Sequence, residues 1–97
     1  MKKLINFGLE NGTYGLGTEE EIQEMCKDWN TRVYRKELAT YKEVEDYICL
    51  GGEIPENQFL EVKNGYVIIN SDTDELDFYS KKIVCTQMLE CILETYI

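Results

Sequence analysis

Carboxylates are the side chains present here in the number and spacing that chemistry would need. The 97 residues hold 19 Asp and Glu and no His. Without imidazole, general base work falls to a carboxylate whose pKa burial has lifted toward neutrality. Glu45-Asp46 and the pair Asp72 and Asp74 are close enough in sequence to be considered. Both pairs lie among polar, turn-like or helix-surface residues, where a carboxylate stays ionised. No catalytic set is expected.

The stretch Asn70 to Asp77 resembles a calcium loop in composition and fails in spacing. Counted from Asn70, the sixth position holds Glu75 instead of Gly, and the twelfth holds Lys81 instead of Glu. Counted from Asp72, the fifth is Leu76 and the twelfth is Ile83. Gly12, Gly15 and Gly17 surround a hairpin instead of joining a strand to a helix, so they form no phosphate loop. Cys26, Cys49, Cys85 and Cys91 make no C-x-x-C pair and have no His to complete a zinc set. Each sits in an apolar-periodic stretch and reads as a reduced, buried thiol. That points to the reducing cytoplasm. No metal and no cofactor is expected.

Charge is the stronger signal. The net charge is -9, with a sequence pI near 4.4. Between Glu37 and Asp77 stand eleven acids and two bases, which accounts for the whole excess. Such a chain is a poor ligand for phosphate backbones, which are gripped by Lys and Arg. Arg32, Tyr34, Arg35 and Lys36 interleave an aromatic with basic residues, a pattern that can support stacking on single strands. In so acidic a chain they are better spent on neighbouring acids, so no direct nucleic-acid contact is expected. No apolar run is long enough to span a membrane, and Met1 to Asn6 turns polar too soon for a signal peptide.

These residues need elements to position them, and the elements are legible. Asn11-Gly12 and Asn64-Gly65 each mark a tight hairpin. A two-residue loop at the first pairs Leu9 with Tyr14 and Phe7 with Leu16, leaving Gly8 and Gly15 opposite each other as a flat spot. The same rule at the second pairs Val62 with Val67 and Leu60 with Ile69. Thr18 with Glu21, and Thr40 with Glu43, are capping boxes. They open helices over about 19–30 and 41–50. Ile22, Met25, Cys26 and Trp29 make the apolar stripe of the first, and Gly51-Gly52 ends the second. Residues 31–38 and 75–79 read as strands. A last helix over about 81–96 has a broad apolar face. The fold class is α+β: one antiparallel sheet of five or six strands with two Asn-Gly hairpins, and three helices mainly on one face. All 97 residues form a single domain.

Residues 4 to 48 resemble the small hybrid-binding domain found at the N-terminus of some ribonucleases H. The matching residues are Gly12 and Tyr14, Cys26, Tyr34 and Lys36, then Thr40 with Glu43 and Val44. The resemblance implies a hairpin–helix–strand–helix order. The aromatic after the second strand and most nucleic-acid-holding basic residues of that family are missing here. At the level of class, the chain is similar to small acidic inhibitors of phages and mobile elements: anti-CRISPR, anti-restriction and toxin-immunity proteins. Its acidic clusters carry that likeness.

The function expected is therefore non-enzymatic inhibition. Glu43, Glu45, Asp46, Asp72, Asp74, Glu75 and Asp77 would present charge to a basic, nucleic-acid-binding protein such as a nuclease, mimicking its substrate. Tyr41, Tyr66 and Tyr79 would supply anchoring area. The alternative is a homodimeric structural or assembly module of a phage or bacterium, joined through the C-terminal helix.

Overall fold

The computed structural model describes residues 1–80; the expected C-terminal helix, and a dimer built on it, lie outside them. Seven strands and two helices follow one another: β1 (Lys2–Lys3), β2 (Ile5–Leu9), β3 (Tyr14–Gly17), α1 (Glu19–Asp28), β4 (Val33–Leu38), α2 (Tyr41–Cys49), β5 (Leu60–Val62), β6 (Gly65–Asn70) and β7 (Glu75–Ser80). The class is α+β, with hairpin, helix, strand and helix in the expected order from residue 5 to residue 49.

Both helices begin on the capping boxes. Thr18 accepts from the Glu21 amide at 3.4 Å while Glu21 accepts from the Thr18 amide at 2.9 Å. Thr40 and Glu43 repeat this at 3.2 and 2.8 Å. Both helices end in the same reverse turn. At α1, Asn30 takes the left-handed conformation (φ 48) and the Thr31 amide reaches back to the Cys26 carbonyl. At α2, Gly51 (φ 92) does so and the Gly52 amide reaches the Tyr47 carbonyl. The helix ends at Asp28, so Trp29 leaves the apolar stripe and stands 53% exposed.

One sheet was expected, and two are found. A four-stranded sheet has the order β1-β5-β6-β7, and a three-stranded sheet has the order β3-β2-β4. The division comes from Leu4. The first strand pairs parallel to β5 over Lys2 and Lys3, then the chain bends and continues as β2. The Leu4 amide donates to the Glu61 carbonyl of one sheet, and its carbonyl accepts from Ala39 at the end of the other. The Ala39 carbonyl in turn accepts from Lys63. Leu4 and Ala39 are both fully buried.

The helices do not share a face. Ile5, Phe7 and Leu9 pack under Ile22, Met25 and Cys26 of α1. Leu16, beside Asn6 on the opposite face, packs with Val44 of α2, Leu4 and the inner residues of the four-stranded sheet. Leu4, just before β2, and Leu16, beside Asn6, are apolar on the face opposite Ile5, Phe7 and Leu9, so both faces of the sheet need cover. In the four-stranded sheet Val67, Ile68 and Ile69 are all buried, the mark of a central strand covered on both sides.

Both hairpins are shifted from the expected register. In the first, Gly8 faces Tyr14 and Phe7 faces Gly15. Gly12 (φ 96) follows a turn closed by its amide on the Leu9 carbonyl, and Leu9 bonds Thr13, giving a three-residue loop with a glycine bulge. Gly8 is no flat spot. The Tyr34 ring covers it, at 2.9 Å from where a Cβ would stand. In the second hairpin Leu60 faces Val67 and Val62 faces Gly65. Here Asn64 takes the positive φ of 67, because the Lys63 amide is drawn to Ala39. Gly65 then lies so close to the Tyr79 carbonyl and the Phe78 ring that a Cβ would overlap both. β7 forms as the expected third strand, with Leu76 opposite Ile69 and Phe78 opposite Val67.

Candidate functional site

The seven expected carboxylates divide between four places. Glu43 belongs to the interior framework. One of its oxygens caps α2 through the Thr40 amide, and the other accepts from the Asn6 side-chain amide on β2. Asn6 is itself held by Arg35, whose Nη1 donates to Asn6 Oδ1 at 2.9 Å. Both lone-pair directions of Glu43 that face the protein are therefore used. Asp46 is paired with Lys42 one turn away at 4.0 Å, and lines a cleft of about 210 Å³ with Tyr14 and Tyr47.

Glu45 and Asp77 meet around Tyr41. The Tyr41 ring packs on Phe78 of β7 with centroids 5.2 Å apart. Its phenol is held above its usual pKa by burial, then by the charge of Glu45 and a hydrogen bond to it, then by Asp77. The Tyr79 phenol is raised by burial and again by Asp77. The ring of Tyr79 meets Phe59 edge-on at 5.7 Å. Tyr41, Tyr66 and Tyr79 are thus half-buried, and the most exposed aromatic residues are Tyr14, Tyr34 and Trp29. Trp29 missed the stripe for the reason given above, and Tyr34 is exposed because a register shift between Gly8 and Leu9 turns β4 at this point.

Asp72, Asp74 and Glu75 occupy the β6–β7 turn. Asn70 organises it: its side chain accepts from the Asp72 amide at 2.8 Å and its carbonyl from the Asp74 amide at 2.7 Å. Asp74 adopts a left-handed φ of 56, which a short polar side chain tolerates. Asn57 fastens the turn to the preceding loop, bonding Ser71 twice and the Ile69 carbonyl once. Beside it lies a cleft of about 290 Å³, floored by Ile48, Ile54 and Ile69 and rimmed by Glu53, Glu56 and Asp74. Glu53 and Glu56 were not among the expected site residues. Their signal was the acidic bias of the whole 37–77 segment; the fold around Pro55 puts them next to the turn.

The pairing of charges is uneven. Five ion pairs form among the described residues: Lys2–Glu20, Arg32–Glu10, Arg35–Glu37, Lys36–Glu19 and Lys42–Asp46. Three of them lie on β1, β4 or α1, and Arg32–Glu10 joins the chain just before β4 to the turn after β2. Glu45, Glu53, Glu56, Asp72, Asp74, Glu75 and Asp77 enter none of them. The basic residues of the β4 strand are spent on acids, as expected. Among the described residues, no group of three or more Cys, Asp or Glu has metal-holding geometry, and no helix is long and apolar enough to cross a membrane. No family model matches this sequence, and no curated protein or solved structure matches it.

Proposed function

We propose that this chain is a non-enzymatic inhibitor that binds a basic, nucleic-acid-binding protein of the cytosol, such as a nuclease, through an anionic edge. The edge runs from Glu45 on α2 across Asp77 and Glu75 to the β6–β7 turn and the loop around Glu53 and Glu56. The observation that carries this reading is that none of these seven carboxylates enters an ion pair among the described residues, whereas Glu10, Glu19, Glu20, Glu37 and Asp46 each do. Self-repulsion of that kind costs stability. An opposing basic groove would relieve it and would be approached fast and in a salt-dependent way. Glu43 and Asp46 fall outside the edge, one bound inside the fold and the other paired.

The test is capture by the immobilised chain, with retained proteins identified and then released by salt. Basic nucleic-acid-binding proteins should be held at low salt and lost by about 0.5 M, where charges are screened beyond a few ångströms. A variant with Glu45, Glu53 and Glu56 changed to Gln, Glu75 to Gln, and Asp72, Asp74 and Asp77 to Asn should hold none of them. Equal retention by that variant, or capture indifferent to salt, would remove the proposal.

A further inference from the structure

We infer that the outer edge of β4 is a self-complementary interface on which a second copy of this chain adds its own β4, antiparallel, about a two-fold axis at Lys36. β4 is the last strand of its sheet, and among the described residues nothing pairs with its outer side. The Ala39 amide donates inward to Leu4 and the Glu10 amide to Arg32. Antiparallel alternation then directs the backbone groups of Arg35 and Glu37 toward β2, and those of Lys36 and Leu38 outward. Such an edge is a template for another strand unless something blocks it. Here the side chains select one register.

With Lys36 on the axis, Arg35 of each copy faces Glu37 of the other, twice, on the same face of the joined sheet. Opposite charges across a strand pair are favourable, and like charges directly opposite are not. The registers on either side put Glu37 against its own counterpart, or Arg35 against its own. The two Lys36 ammonium groups that meet at the axis are already neutralised, each by both oxygens of its own Glu19 at 2.8 and 2.9 Å. The helices leave room. α1 packs over β2, and two such strands would stand three spacings of about 4.8 Å apart, wider than the roughly 8–10 Å that packed helices need. The result is a six-stranded sheet with both copies of α1 on one face. It involves none of the seven carboxylates of the anionic edge, so either idea can fail alone.

The experiment is sedimentation of the full chain over a broad concentration range, with R35E and E37R separately and mixed. The native 11.4 kDa chain should sediment at twice its mass at high concentration. R35E leaves acids only at the two facing positions 35 and 37, and E37R leaves bases only there. Each alone should dimerise at least tenfold more weakly, and the equimolar mixture should recover the dimer as a heterodimer. K36P, which removes the outward N–H together with the exposed Lys36–Glu19 ion pair, should remain folded by circular dichroism and sediment as a monomer. If K36P unfolds, the mixing experiment decides. A native chain that stays monomeric throughout, or a dimer that the charge variants and their mixture leave unchanged, overturns the inference.

Discussion

Asn6 on β2 donates its side-chain amide to Glu43 on α2, and this contact ties a strand to a helix 37 residues further along the chain. Arg35 completes the line from the other side. A residue expected to face a partner thus serves the fold. N6A leaves the inward oxygen of Glu43 and the Arg35 guanidinium without their shared partner. A hydrogen bond to a charged group is worth about 2 kcal/mol. Urea unfolding of N6A should show a loss of about that size, and an unchanged midpoint would show that the contact carries no stability.

Gly65 and Gly12 should respond differently to alanine. At Gly65 a methyl group has no room beside the Tyr79 carbonyl and the Phe78 ring. Overpacking of this kind costs about 2–3 kcal/mol. At Gly12 the space is open and only the left-handed backbone objects, a cost of about 1 kcal/mol. Thermal melts of G65A and G12A should rank in that order. The reverse ranking would mean that the second hairpin is not seated as described.

Alkaline titration should separate two tyrosines from the rest. Tyr41 and Tyr79 are raised above 10.0, Tyr41 by burial first and Glu45 next. A phenol whose folded pKa is raised gives stability that is whole below the unfolded value. That stability is lost as pH climbs from there through the folded value. Unfolding free energy should therefore begin to fall above about pH 10, and the tyrosinate absorbance of the folded chain should finish late. E45Q should bring the Tyr41 phase earlier while leaving Tyr79 in place. A Tyr41 phase indifferent to E45Q would break the link between α2 and β7 through this ring.

Salt should stabilise the protein. If unpaired carboxylates dominate its surface electrostatics, screening removes more repulsion than attraction. Between low salt and about 0.5 M the melting temperature should rise by roughly 5 °C, the equivalent of about 1 kcal/mol for a domain of this size. The seven-amide variant should start higher and rise less. A melting temperature that drops on adding salt would mean that the five ion pairs outweigh the unpaired edge.

What was legible in the sequence is what is decided locally. Thr18 with Glu21 and Thr40 with Glu43 place both helix starts, since the bonds they predict span three residues. The Asn-Gly pairs place both hairpins but not their registers, because Gly12 takes the left-handed position in one and Asn64 in the other. The second choice depends on the Ala39 carbonyl, 24 positions before Lys63, and no local pattern reports it. The division into two sheets has the same origin in Leu4. For the surface, the acidic excess of residues 37–77 was plain from counting. That Glu43 turns inward to Asn6 while Glu53 and Glu56 join the Asp74 turn depends on contacts distant in sequence.

The double role of Leu4 bears on the order in which the molecule can be completed. The strand pairs of the three-stranded sheet and its cover by α1 draw on residues 5–38 alone, while the sheet's other face waits for Glu43 and Val44 of α2. The Leu4 amide must wait for the Glu61 carbonyl, and until then the N-terminal strand has no neighbour. Closing so long a loop is entropically expensive and slow. The nascent chain can therefore pair its first three strands while the N-terminal strand still dangles, and the seam at Leu4 closes only once residue 61 has joined the chain.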